Sequence, residues 1–358
     1  MNPKTKKSSS ILTAVSVLLL SAAVIMPFSG CKNKNSESNQ SDSSDAPAKK
    51  ITIGFSIDTL AIERWQRDLD VFMNVIKENG AEVIVQNAGN NLEEQNRQLM
   101  YLADRNVDCI VVLPKDANGI SESVQKIKAK GIPVISYDRL TLNADIDLYL
   151  SINSEKVGEL MAQGTLARTR GRSWFYILGP EEDYNMTLIK KGINNIISKN
   201  TNVSIDYVYY TDGWNYDLAH EEMIRLIKNG RIPNAIICGN DAVADSVIQA
   251  LTTYYNGDHI CICGQDADIA ACQNIINKKQ DFTVYKPITK LAETAAIYAV
   301  RIAKGESVEE LSADIASINN GFGKIPVIWL DPVLVDNKNM DKIVIDSGFH
   351  THYDVYRD

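Results

Sequence analysis

The stretch "VDCIVVLPKDANGISESVQKIKAKGIPVISYDR", residues 107–139, decides the fold. It opens on "VDCIVVLP" and closes on "IPVISYD", two short and nearly continuous apolar runs. Between them "NGISESVQKIKAKG" has the length of a helix and ends on Gly131, a residue suited to a helix stop. Strands that are apolar on both faces belong to a parallel sheet with helices on both sides. The same alternation runs outward in both directions. Upstream, "ITIGFSI" (51–57) leads to a helix through "WQRDLDVFMNVIKENG" (65–80), where Leu69, Phe72, Met73 and Ile76 recur at helical spacing. "AEVIVQNA" (81–88) leads to "NLEEQNRQLMYLADRN" (91–106). Downstream of "DIDLYLSI" (145–152) a second set begins: "SWFYILGP", "VSIDYVYY", "NAIICGND", "HICICGQD" and "DFTVYKP" alternate with helical stretches. Two such sets predict an α/β protein of two doubly wound parallel-sheet lobes. No Walker P-loop, dinucleotide glycine fingerprint or EF-hand loop interrupts them.

The ends are of another kind. Lys4, Lys6 and Lys7 precede an apolar stretch from Ile11 to Phe28, followed by "FSGC" ending at Cys31. A basic start, an apolar middle and small residues before a cut describe a secretory leader. The "FSGC" segment resembles a bacterial lipoprotein signal, which implies cleavage before Cys31, lipid on that cysteine and an extracytoplasmic protein anchored to the cell membrane. Residues 1–30 are then the signal peptide, and 31–50, "CKNKNSESNQSDSSDAPAKK", holds little to bury and reads as a flexible tether. The chain carries 37 Lys+Arg against 45 Asp+Glu, a net −8 that becomes −11 once the leader's three lysines are gone. That sign speaks against a nucleic-acid partner and against a basic membrane-binding face. Besides Cys31 there are Cys109, Cys238, Cys261, Cys263 and Cys272, an odd number in apolar segments, which predicts buried thiols. No set of ligands with zinc spacing appears, and no cofactor is expected.

Ligands of open α/β sheets sit beyond the carboxyl ends of the strands. Those positions hold Asp58, Arg64 and Trp65; Asp138 and Arg139; Asn185; Trp214; Asn240 and Asp241; Gln265 and Asp266; and Lys286. Taken singly, helix capping accounts for Asn240, Asp241 and Asp266, and Arg139 and Lys286 are solvated charges. Together they offer carboxylates, cations, amides and indoles at one kind of sheet edge. Hydroxyls both donate and accept, so a neutral polyol is matched by acids and bases side by side, and an indole covers the C–H face of a sugar ring. A phosphate site calls for more base and fewer acids.

Long ordered stretches, "IDTLAIERWQRD", "ISYDRL", "ADIDLYLSINSEKVGEL", "DGWNYDLA", "GNDAVADSVIQAL", "GQDADI" and "TVYKPITKLA", resemble the type I bacterial sugar-binding lipoproteins, and most closely the D-xylose-binding members. The resemblance implies the type I periplasmic-binding-protein fold, with a sugar held between two lobes joined by a three-strand hinge. It implies hydrogen bonds to the sugar from Arg64, Asp138, Arg139, Asn185, Asn240, Asp266 and Lys286, and stacking by Trp65 and Trp214. It also implies crossings near Asn153, Tyr285 and Gly323. The first lobe is then 51–153 with 286–323, and the second 154–285 with 324–358. His350 and His352 form an H-x-H pair, expected in an exposed tail.

The resemblance implies a lipid-anchored binding protein that delivers D-xylose or a similar monosaccharide to the membrane permease of an ABC importer. A sensor that docks on a membrane histidine kinase has the same site. A sugar-responsive repressor needs an N-terminal helix-turn-helix, where this chain has a leader. Glycosidase chemistry by Asp241 and Asp266 is the enzymatic alternative; a site balanced in acids and bases, with no histidine, favours binding.

Overall fold

A computed structural model describes residues 50–200, 202–311 and 315–357. The leader, Cys31 and the tether up to residue 49 lie outside the described residues. The first sheet starts with β1 (Thr52–Ile57), α1 (Glu63–Glu78), β2 (Glu82–Asn87), α2 (Leu92–Asp104), β3 (Cys109–Val112), α3 (Ser121–Ala129), β4 (Val134–Tyr137) and β5 (Leu148–Ile152). The chain then builds the second sheet with α4 (Ser154–Arg168), β6 (Ser173–Leu178), α5 (Tyr184–Ile197), β7 (Ser204–Tyr210), α6 (Tyr216–Lys228), β8 (Ala235–Cys238), α7 (Asp241–Tyr254), β9 (Cys261–Gln265), α8 (Ile269–Ile276) and β10 (Phe282–Tyr285). It returns through α9 (Ile288–Ala303), β11 (Ala316–Asn319) and β12 (Lys324–Leu330), and finishes with β13 (Val333–Val335) and α10 (His352–Tyr356).

The strand orders are β11-β12-β5-β4-β3-β1-β2 and β13-β10-β9-β8-β6-β7. All pairings are parallel except the β11–β12 hairpin and β10 against β13. The central strands β3, β4 and β8 are buried along their whole length, as continuous apolar runs under helices on both faces require. β7, at an edge, alternates exposed and half-buried residues. Gly131 closes α3 in the left-handed region, φ +76°. The five described cysteines are buried, four on strands and Cys272 on α8.

Two expectations are corrected. The third crossing lies after Leu330, at Asp331–Pro332, instead of at Gly323. "KIPVIWL" pairs in parallel with β5, Val327 opposite Tyr149, so residues 324–330 complete the first sheet and only the chain beyond them joins the second. Gly323 is instead part of the turn of the β11–β12 hairpin, where Asn320 N donates to its carbonyl at 3.2 Å. The other correction concerns the H-x-H pair. His350 is buried, with Nε2 2.8 Å from the Ala267 carbonyl, because the tail packs back on α8 and β10; His352 stacks on Tyr356.

Candidate functional site

The carboxyl ends of the two sheets face each other, and the residues just past them meet in one cavity. Its wall contains all nine of Arg64, Trp65, Asp138, Arg139, Asn185, Trp214, Asn240, Asp266 and Lys286. Eight of these are buried and Trp214 is half-buried. The free space is about 20 Å³, the room of about one water.

Local chain geometry fixes each group. Arg64 and Trp65 stand in the first turn of α1, reached from β1 by a loop of five residues. Asp138 follows β4 in the left-handed region, φ +60°. Its backbone is held on both sides: N–H donates to Leu150 O at 2.8 Å, and the carbonyl accepts from Tyr149 OH at 2.8 Å and Ser151 Oγ at 2.6 Å. Asn185 lies in the first turn of α5. Trp214 has φ +58° after Gly213 at +56°, and its ring lies on Gly179, where an added Cβ would stand 2.3 Å from the indole. Asn240 both caps and lines: its Oδ1 accepts from Val243 N at 2.9 Å, which leaves its amide N–H groups toward Tyr216 OH at 3.5 Å and the cavity. Asp266 has φ +101°, uncommon for a residue with a side chain. Left-handed residues gather at ligand sites when the surroundings over-determine them; here three of them carry site groups.

Charges are paired across the cleft. Asp138 accepts from Arg64 Nη2 at 2.7 Å in its own lobe and from Asn185 Nδ2 at 2.9 Å in the other. Asp266 of the second lobe meets Lys286 Nζ at 3.0 Å and Arg64 Nη1 at 3.5 Å. Arg139 joins Asp58 of its own lobe to Asp183 of the other, the latter at 2.7 Å. Burial pushes the Asp138 carboxyl up, but Arg64, Lys286 and Arg139 outweigh it and hold it below the usual carboxylate range. For Asp58 and Asp183 burial wins over Arg139, and both are raised. Behind this layer Asp68 accepts from Tyr137 OH at 2.6 Å and Arg64 Nη2 at 3.3 Å; burial raises it to about 6, with Arg64 opposing.

Polar capacity remains unused. Among the described residues, buried atoms without a hydrogen-bond partner include Arg64 Nε, Trp65 Nε1 and Trp214 Nε1, all donors, and Gln265 Oε1, an acceptor. Such groups are costly unless something bonds to them, and a mixed set suits a ligand that donates and accepts.

Asp183, Gln265, Met186 and Ile62 complete the wall and were outside the expected contacts. Asp183 caps α5 through Asn185 N at 3.0 Å, so in the sequence it has the signature of a capping acid alone. Gln265 is named by the strand-end rule; its Nε2 is spent on Gly239 O at 2.7 Å. Asp241 faces away into the second lobe, accepting from Thr283 Oγ1 at 2.7 Å, Gln280 Nε2 at 2.9 Å and Asp268 N at 3.1 Å. Burial raises it to about 8 against those bonds. It does not line the cavity with Asp266, so the Asp241–Asp266 pair considered for glycosidase chemistry is not formed there. Among the described residues no group of three or more His, Cys, Asp or Glu is arranged to hold a metal ion.

Residues 53–307 match the family described as periplasmic binding protein domain. The D-xylose-binding periplasmic protein of Haemophilus influenzae is 38% identical over 322 residues, covering 88% of this chain and 95% of that protein. Its Escherichia coli counterpart is 36% identical over 313 residues, covering 85% and 92%. Among solved structures, an ABC transporter solute binding protein from Clostridium phytofermentans with bound β-D-glucose superposes with a TM-score of 0.76 at 27% identity, over 85% of this chain and 99% of that one.

Proposed function

This chain belongs to the periplasmic sugar-binding protein family, and from that premise we propose that it captures a monosaccharide, D-xylose, outside the cytoplasm and delivers it to an ABC importer. It is a binding protein and not an enzyme. The observation that carries the reading is the composition of the interlobe wall: three cations, three carboxylates, amides and two indoles converge on one small cavity. That set matches a ring with hydroxyls on its edge and C–H groups on its faces. The names of the two relatives above 35% identity supply the choice of D-xylose. A pentose does not fit in 20 Å³, so it enters by parting the lobes. Its hydroxyls then take over direct contacts such as Asp138–Asn185 and Arg64–Asp266.

A ligand that binds only the folded protein at ~100 times its dissociation constant stabilises it by about 2.7 kcal/mol. A thermal-shift screen of pentoses and hexoses on the soluble part is expected to single out D-xylose. A shift with glucose or galactose and none with xylose overturns the choice of sugar; no shift with any sugar overturns the class. The proposal includes a lipid anchor at Cys31, supported by the "FSGC" segment. Cys31→Ala is expected to abolish incorporation of labelled fatty acid, and undiminished labelling removes the anchor from the reading.

A further inference from the structure

Ile62 occupies a position in the cavity wall that the polar network does not account for. It is the residue before α1 and is buried. One side of it lines the sugar cavity. It also lines a second and larger pocket of about 260 Å³, bounded on the second lobe by Tyr216, Asp245, Ser246 and Asp268. Ile62 is the one residue common to both linings. It is held in place by its own loop: its carbonyl accepts from Trp65 N at 3.1 Å, Ala61 N donates to Thr59 Oγ1 at 3.1 Å, and Gln66 Nε2 donates to Leu60 O at 3.0 Å. A branched apolar side chain on a pinned loop is thus shared by the cavity and by a space whose far wall is rich in hydroxyl partners.

Building on the monosaccharide reading, we infer that Ile62 is a specificity-determining residue that sets the upper size of the ligand. It blocks a substituent such as the hydroxymethyl carbon of a hexose from passing out of the cavity into the second pocket. A pentose has C–H at that carbon's place and packs against the wall. The second pocket would accommodate a hydroxymethyl group if the wall were lowered, because Tyr216, Ser246 and Asp245 offer hydroxyl-matching atoms there. A steric wall of this kind separates ligands that differ by one carbon by roughly 10- to 200-fold.

The test is calorimetric titration of D-xylose and D-glucose into the wild type, Ile62→Val and Ile62→Ala, with thermal unfolding of each in the absence of sugar. The expected result is a wild type that prefers xylose, and a glucose-to-xylose affinity ratio that rises at least about tenfold in the alanine variant and about threefold in the valine variant. A uniform loss of both sugars, with the ratio unchanged, reduces Ile62 to packing and overturns the inference. Ile62 belongs to the core, so the alanine variant can fail to fold; the valine variant keeps the branch and then decides the sign by itself. A wild type that binds glucose as tightly as xylose also overturns the inference. One that binds neither sugar overturns the functional reading on which it rests.

Discussion

Asp138 concentrates the logic of the site. It is an acid in a left-handed turn, buried, with one oxygen on Arg64 and the other on Asn185 across the cleft. Asp138→Asn keeps the shape, and asparagine tolerates the left-handed backbone, but one acceptor becomes a donor facing other donors. Sugar affinity is expected to fall by about 1–3 kcal/mol, tenfold to a hundredfold or more. Folding is expected to persist, because Leu150, Tyr149 and Ser151 hold the turn through its backbone. Titration with xylose beside thermal unfolding without it separates the two; unchanged affinity in a folded variant makes Asp138 a turn-forming acid and no more. Asp68, one layer behind, gives a pH signature. Its carboxyl is raised by burial from 3.8 to about 6, so the native state holds that proton more tightly than the unfolded chain. Its contribution to stability is then greatest near pH 4 and falls as pH rises to about 6. In Asp68→Asn that slope is absent. The stability of the variant relative to wild type is expected to rise across pH 4 to 6, by at most about 3 kcal/mol. A difference that is flat with pH, measured by urea unfolding, places the Asp68 carboxyl at its ordinary value.

At the scale of elements, the sequence makes legible what depends on local pattern and obscures what depends on partners far along the chain. The βαβ rhythm around residues 107–139 carries its own evidence: apolar runs, a helix of fitting length and a glycine stop predict β3, α3 and β4, and the sheet forms from them. The strand-end rule likewise brings Arg64, Asp138, Asn185, Asn240, Asp266 and Lys286 to one cavity, because a parallel sheet aligns the carboxyl ends of its strands. The place of β12 is hidden for the opposite reason. Nothing in "KIPVIWL" says whether its partner is β5 or β10; only the pairing of Ile328 with Leu150 decides it. The capping role of Asp183 and its reach to Arg139 use different oxygens, and the sequence shows only the first. The burial of His350 is not legible locally, because its partner, the Ala267 carbonyl, lies 83 residues away. The dual role of Asn240 follows the same rule, with the cap local and the cavity not.

At the scale of the whole molecule, three crossings join the lobes, and contacts outside the cavity also bridge them. Lys115 of the first lobe meets Glu182 of the second at 3.3 Å, with side chains 19% and 31% exposed. Arg67 on α1 donates to the Phe349 carbonyl at 2.8 Å and lies 4.2 Å over the Phe349 ring. If sugar binding is coupled to closure, whatever stabilises the closed form adds to apparent affinity. The two bridges are expected to differ in weight. Opening returns Lys115 and Glu182 to water at little cost, and a lone ion pair near the surface contributes about 0–1 kcal/mol. The Arg67 bridge combines a hydrogen bond from a charged donor to a carbonyl with a cation–π contact, and the two interactions together are worth more. Lys115→Ala is therefore expected to weaken xylose binding by no more than about fivefold. Arg67→Ala is expected to weaken it by about tenfold or more. Neither residue lines the cavity, so both losses should appear as faster sugar release together with a smaller xylose-induced compaction in small-angle X-ray scattering. If Arg67→Ala binds xylose as the wild type does and compacts as fully, the Arg67–Phe349 contact is indifferent to closure, and the cavity network alone holds the lobes together.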